Sequence, residues 1–378
     1  MTAMRMGRLL VAVAASLAVA CAPPAPAGPA EVRLVPVALP AGVEPQVVAV
    51  SGDALLVGVR LAGRPTEPGV LHRAPDGTVT EIPTRAATPY GRTASWVALT
   101  GDGSRIVGVG GDRGGAHGNV RWSVWDGTAT GVAERAQAFS TFGGWGAGDL
   151  VGAVLAPDGP ALVGSWQSDA AGFDVAVWTP DGDDWVRQPS TGTALASTDA
   201  LQGFATSAAR GPDGLLVTGW QVGGAGHPGQ APVVWSSSGS TAGGWVRTPL
   251  PEPGAAGTAA AARCDTSGCA VSGRVDGALA LWRLAAGRWT RLLDVPAVAV
   301  GDTDPLPAPL LADGRLLQVA SDHGALLLLD VDGPRVARYA LTGATGPVTA
   351  AAAVGATVYV LAGNPLGLWQ FDLPARAG

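Results

Sequence analysis

The chain contains no lysine, and all 24 of its basic residues are arginine. That absence excludes Schiff-base chemistry, which needs a lysine amine, and a P-loop, whose lysine reaches the nucleotide phosphates. Basic charge is in short supply overall: the formal net charge is −6, which argues against nucleic acid as a partner because phosphate binding asks for a basic face. Cysteine is rarer still, with three residues in 378. No second cysteine pair exists to complete a thiolate metal site, so no metal and no cofactor is expected. After the first twenty residues no stretch holds a 3.6-residue apolar period, so helix should be nearly absent.

Glycine (56) and proline (30) are abundant and punctuate many short apolar runs rich in Val, Thr and Trp. One phrase recurs: an apolar run ending near Gly, a second ending in Trp, then Trp-x-Arg. It reads ALVGSW (Ala161–Trp166), VAVW (Val175–Trp178) and WVRQP (Trp185–Pro189). It returns as LLVTGW (Leu215–Trp220), VVW (Val233–Trp235) and WVRTP (Trp245–Pro249), and again as CAVSG (Cys269–Gly273), LALW (Leu279–Trp282) and WTR (Trp289–Arg291). A unit of this size cannot bury its apolar faces alone and needs stacked neighbours. Markers at the end of each third strand run Arg73, Trp125, Trp178, Trp235, Trp282, Leu329 and Trp369, near the roughly 40–50 residues of a four-stranded blade. The expected fold is therefore an all-β, seven-bladed β-propeller spanning 31–378.

The last blade runs out of chain after its third strand. Glu31–Leu39 repeats the x-Arg…Pro pattern of the outer strands, yet no inner strand precedes it. It is expected to close the ring as the outer strand of the final blade, pairing with Gly367–Leu373 and removing the open edges. The inner strands are rich in small residues (Ala205–Ala209, Ala259–Ala262, Ala350–Ala353), which suits the crowded axis of a ring of blades.

Arg5 and Arg8 precede an apolar run from Leu9 to Ala20, too short for a membrane span and of signal-peptide length. The run ends Leu17-Ala-Val-Ala-Cys21, which resembles the lipobox of bacterial lipoproteins. That resemblance implies cleavage of residues 1–20, acylation of Cys21 and attachment to the outer face of the cytoplasmic membrane through an N-terminal lipid. Plain secretion with a cysteine at the cleavage site is the alternative. Residues 21–30 then form a Pro/Ala-rich tether, reaching less than about 30 Å when extended. In an oxidising compartment Cys264 and Cys269, flanking a turn between two strands, read as a local disulfide, with half of a metal site as the alternative.

In a propeller the loops between second and third strands share a face with the connections between blades. Those segments are the longest and least repetitive here, and irregular loops on a rigid scaffold are where binding residues collect. The aromatic segment FSTFGGWGAGD places Phe139, Phe142 and Trp145 in one blade connection, as a contact surface for a glycan or protein. His117, His227 and His323 fall in second-to-third loops of alternate blades, too far apart in azimuth to share one ion. His117 and His227 remain binding candidates, as do Asp302 and Asp304 in the connection Val300–Pro305. Paired loop carboxylates would suit glycoside hydrolysis, but spacing along the chain brings no two together.

The turn Thr179–Trp185 resembles an Asp-box of sialidase-type propellers, and the strand–Gly-Gly–strand–Trp rhythm of Val222–Trp245 resembles kelch repeats. Both resemblances imply the blade and little else. A sialidase also needs three arginines around a carboxylate, a tyrosine nucleophile and an acid. Of Tyr90, Tyr339 and Tyr359 only Tyr90 lies in a top-face loop, and the Phe/Tyr-Arg-Ile-Pro signature is missing. The sequence therefore points to a monomeric, non-catalytic binding or interaction module of the cell envelope, with an envelope protein or glycan as partner. A sialidase-like or other glycoside hydrolase is the alternative.

Overall fold

The computed structural model describes residues 30–375, apart from 63–66, 115–118, 225–226, 228, 241–242 and 334. The expected signal segment and most of the expected tether, with Cys21, lie outside the described residues, as does His117. Seven sheets, antiparallel except for one parallel outer strand in each of blades two and six, follow one another and make a seven-bladed β-propeller. Blade three shows the unit: Ala147–Ala156 is innermost, followed outward by Gly159–Gln167, Phe173–Asp181 and Asp184–Arg187. Blades four and five repeat it with inner strands Leu201–Arg210 and Gly257–Asp265.

The recurrent phrase has a packing cause. The third-strand tryptophans Trp125, Trp178, Trp235 and Trp282 are almost fully buried between blades. At roughly 150–250 Å² per ring and ~25 cal/mol/Å², each contributes about 4–6 kcal/mol of transfer free energy. The second-strand glycine makes room for the ring. A Cβ on Gly219 would lie 2.9 Å from the Trp235 indole, and one on Gly273 equally close to Trp282, while both would also meet a carbonyl of the inner strand. Those carbonyls sit next to a register shift that recurs in the first strands of blades three, four and five. Such a bulge bends the innermost strand where blades converge. The alanine-rich inner strands line an axial opening of about 310 Å³, formed by Val48–Val50, Leu99–Asp102, Ala153–Leu155, Ser207–Arg210 and Ala262–Cys264.

Ring closure differs in detail from the expectation. Val35–Pro36 is the outer strand of the last blade, with Val35 opposite Gln370 and Pro36 opposite Trp369, and Val37 N donates to Leu368 O at 2.9 Å. Ala30–Arg33 goes elsewhere: it adds a fifth, parallel strand to blade six, from Ala30 opposite Tyr339 to Arg33 opposite Thr342. Leu34, 2 % exposed, fills the core between blades six and seven where the chain crosses. Arg33 therefore does not take the place of Arg187 or Arg247. The exposed edge of Arg335–Thr345 captures the first residues, and proline, which cannot donate, is tolerated on the outer edge of blade seven.

Cys264 and Cys269 are joined by a disulfide and stand opposite one another in the first hairpin of blade five. Arg315 and Asp330 form a buried pair at 2.7 Å within blade six, and Arg315 also donates to Pro374 O at 3.1 Å, which ties the segment after the third strand of blade seven to blade six.

Candidate functional site

The connection from blade two to blade three is built from the inside out. Ala138 enters a single helical turn, Phe139–Phe142, whose last ring is 5 % exposed and packs 5.6 Å from Trp178. Trp178 Nε1 donates to Thr141 O at 3.1 Å, so the blade's own tryptophan fastens the segment that leads into it. Gly144 has φ +92°, a left-handed conformation that glycine adopts without strain, and a Cβ on Gly146 would strike the Trp166 indole. Between these two glycines the side chain of Trp145 is pushed outward and is 98 % exposed. Phe142 is thus an anchor and not a contact residue, which corrects the expectation that all three aromatics face outward. Burying one ring is what holds the other two in place.

Phe139 is 56 % exposed, and one face of its ring is covered by Arg121, whose guanidinium carbon lies 4.2 Å from the ring centroid. The same guanidinium lies 5.7 Å from the Tyr90 ring. These residues border a cleft of about 280 Å³, with Thr88, Trp122, Glu134 and Gln137 completing its walls. Its carboxylate is committed: Glu134 accepts from Ala87 N, Thr88 N and Thr88 Oγ1 at 2.6–2.7 Å. A second cleft of about 470 Å³ adjoins the first through Val120, Trp122, Phe139 and Gly143 and runs on to Asp149, Ser165, Phe173 and Phe204. Phe204 stacks on Trp220 with ring centroids 4.0 Å apart.

The remaining candidates lie apart from this groove. Asp304 Oδ2 accepts from Gly301 N at 2.7 Å, capping its own turn, and Asp302, 92 % exposed, pairs with Arg274 at 3.3 Å. Asp304 and His323 border a separate cleft of about 640 Å³ between blades five and six, with Gly277, Val300, Ser321 and Pro347. His227 spans two segments, with Nδ1 3.1 Å from Gly229 O and Nε2 2.8 Å from Gly254 O, and so ties its loop to the next blade connection. The structure brings Phe139 and Trp145 onto one loop and leaves His227, Asp302 and Asp304 at other blades. Among the described residues no three His, Cys, Asp or Glu side chains gather as they would around a metal ion.

Sequence reasoning passed over Arg121, Trp122, Phe173 and Phe204. One signal was present: Arg121 puts a cation in the third strand of blade two, four places before Trp125, where blade three has Asp174 and blade four Ala231. Repeat arginines proved structural instead. Arg247 donates to Ala194 O and Ala196 O, and Arg291 to Glu252 O, each holding a blade connection. Burial pushes the Arg247 guanidinium below its ordinary range. Burial acts the same way on Arg263, which faces the axial opening and donates to Pro309 O at 3.2 Å.

No family model matches the chain, and no curated protein matches it. Solved structures do. Virginiamycin B lyase from Staphylococcus aureus superposes with a TM-score of 0.58 at 13 % identity, covering 91 % of this chain and 99 % of that one. A puromycin-hydrolyzing peptidase from Mycobacterium tuberculosis gives 0.56 at 17 % identity over 88 % of this chain, which spans about half of that protein's length (52 %). The β-propeller domain of the Trilobed protease from Pyrococcus furiosus gives 0.51 at 11 % identity, covering 89 % and 95 % of the two chains. At such identities the likeness establishes the propeller fold and nothing about chemistry.

Proposed function

We propose that this propeller is a non-catalytic binding module of the bacterial cell envelope, carried on the outer face of the cytoplasmic membrane by a lipid on Cys21. The Phe139–Trp145 loop is its contact surface. The observation that carries the reading is Trp145: a tryptophan held 98 % exposed by a loop whose other end is buried costs solvation and adds nothing to the core. Large aromatics with few rotamers are the side chains that dominate contact energetics. The lipobox-like Leu17–Cys21 supports the anchoring, and the Asp-box-like and kelch-like turns belong to the same reading.

The test uses the full exported protein and a Trp145→Ala variant, incubated with purified envelope polysaccharide and with envelope proteins. Retention on one of these fractions should fall at least tenfold while the melting temperature stays within about 1 °C, because a loop residue outside the core contributes little stability. Turnover of sialosides or aryl glycosides that is abolished by Asp304→Asn would replace this reading with that of a hydrolase.

A further inference from the structure

Arg121 is unlike the other arginines whose contacts define the blades. Its guanidinium lies over the rings of Phe139 and Tyr90, its Nε is buried without a hydrogen-bond partner, and among the described residues no carboxylate or carbonyl pairs with it. The two neighbouring acids are engaged by others: Glu134 holds the 87–88 segment, and Asp112 accepts from Thr93 Oγ1 at 2.7 Å. A guanidinium over aromatic rings leaves its terminal N–H groups able to donate, and Arg121 lines the cleft with Trp122 and Gln137. The two terminal N–H groups of a guanidinium match a carboxylate in two-point geometry.

The cleft continues past Trp122 and Phe139 to Phe173 and Phe204. Electron-rich aromatic faces suit the weakly positive C–H faces of a sugar ring. Trp122, Phe139, Phe173 and Phe204 line this groove, and Arg121 stands beside Trp122 and Phe139 in the adjoining cleft. We infer that Arg121 is the carboxylate-binding residue of a groove for an acidic polysaccharide, with sugar rings on the neighbouring aromatics. This rests on the binding-module reading and names its ligand class.

The experiment titrates the full-length protein, in detergent micelles, with tetragalacturonate and with the same oligosaccharide after reduction of its carboxyl groups. Tetragalacturonate should bind at least tenfold more tightly than the reduced form, and less tightly as salt is raised. Arg121→Gln should abolish that preference, and Arg121→Lys should restore only part of it because an ammonium cannot offer the two-point edge. Phe139→Leu, at a half-exposed position that does not enter the core, should weaken both oligosaccharides together. Equal binding of the two oligosaccharides, no binding of either, or an Arg121→Gln variant that folds and binds as the parent does would overturn the inference. If Trp145→Ala still releases the protein from envelope fractions while Arg121→Gln does not, the ligand class fails and the binding-module reading stands.

Discussion

Trp235 and Arg247 donate to the same acceptor: the indole Nε1 and the guanidinium Nε each reach the carbonyl oxygen of Ala194 at 3.1 Å. They face one another across the third and fourth strands of blade four, and the guanidinium lies 5.5 Å over the indole. The carbonyl belongs to the connection that enters the blade, so one cross-strand pair fills the core, covers it and fastens the incoming chain. Trp178 on Thr141 O and Trp282 on Pro251 O perform the indole half of this in blades three and five.

Sharing an acceptor makes the two residues energetically coupled. Trp235→Phe should cost about 2–3 kcal/mol, from lost ring volume and a weakened bond to Ala194. Arg247→Met should cost less, because burial already disfavours its charge. The double variant should deviate from additivity by at least about 0.5 kcal/mol, measured by denaturant unfolding. Additive costs would mean the carbonyl bonds do not matter.

Ring closure is assigned to three residues. Removing residues 30–33 should strip only a fifth strand from blade six and lower the melting temperature slightly. Removing 30–37 also takes Leu34 from the core and Val35–Val37 from blade seven, and should lower it by many degrees more. Leu34→Ala alone should cost about 2–4 kcal/mol. Scanning calorimetry checks all three, and equal melting of both truncations would contradict the closure.

The pair Arg315–Asp330 should be costly to break. Asp330→Ala leaves a guanidinium that is 3 % exposed without its carboxylate, and the expected loss is about 3–5 kcal/mol. The C-terminal segment, held by Arg315 at Pro374 O, should become susceptible to carboxypeptidase in the same variant.

Asp102 gives a pH signature. Its carboxylate accepts from the backbone N–H of Arg105 and Ser104 and from the Ser104 hydroxyl, which together hold its pKa below the ordinary range. A depressed folded-state pKa stabilises the protein above the unfolded-state value and ceases to do so as pH falls through the folded one. The melting temperature of Asp102→Ala should therefore fall below that of the parent at pH 7 and approach it as pH falls below the ordinary aspartate range. A gap that is constant with pH would rule out the ionised cap.

Anchoring is tested separately from folding. Cys21→Ser should shift the protein from the membrane pellet to the soluble pool and remove incorporation of a labelled fatty acid. Absence of label from the parent protein would favour plain secretion.

Tryptophan spacing, Gly before the ring and Arg opposite it made the blades legible in the sequence, because inter-blade packing repeats the same steric problem at each turn of the ring. Cys264 and Cys269 were legible for a similar reason: a tight hairpin leaves a close pair little choice of partner. The path of Ala30–Pro36 was not, since one extended segment satisfies either of two open edges and only the assembled ring shows which is free at each register. Nor was the groove. Tyr90 and Phe139 come from the connections flanking blade two, Arg121 from blade two and Phe204 from blade four, and of these only Phe139 stands in a segment whose sequence marks it as a contact surface. Local chemistry determined the repeating blade, whereas the meeting of these side chains depends on how neighbouring blades are rotated about the axis, which only tertiary packing sets.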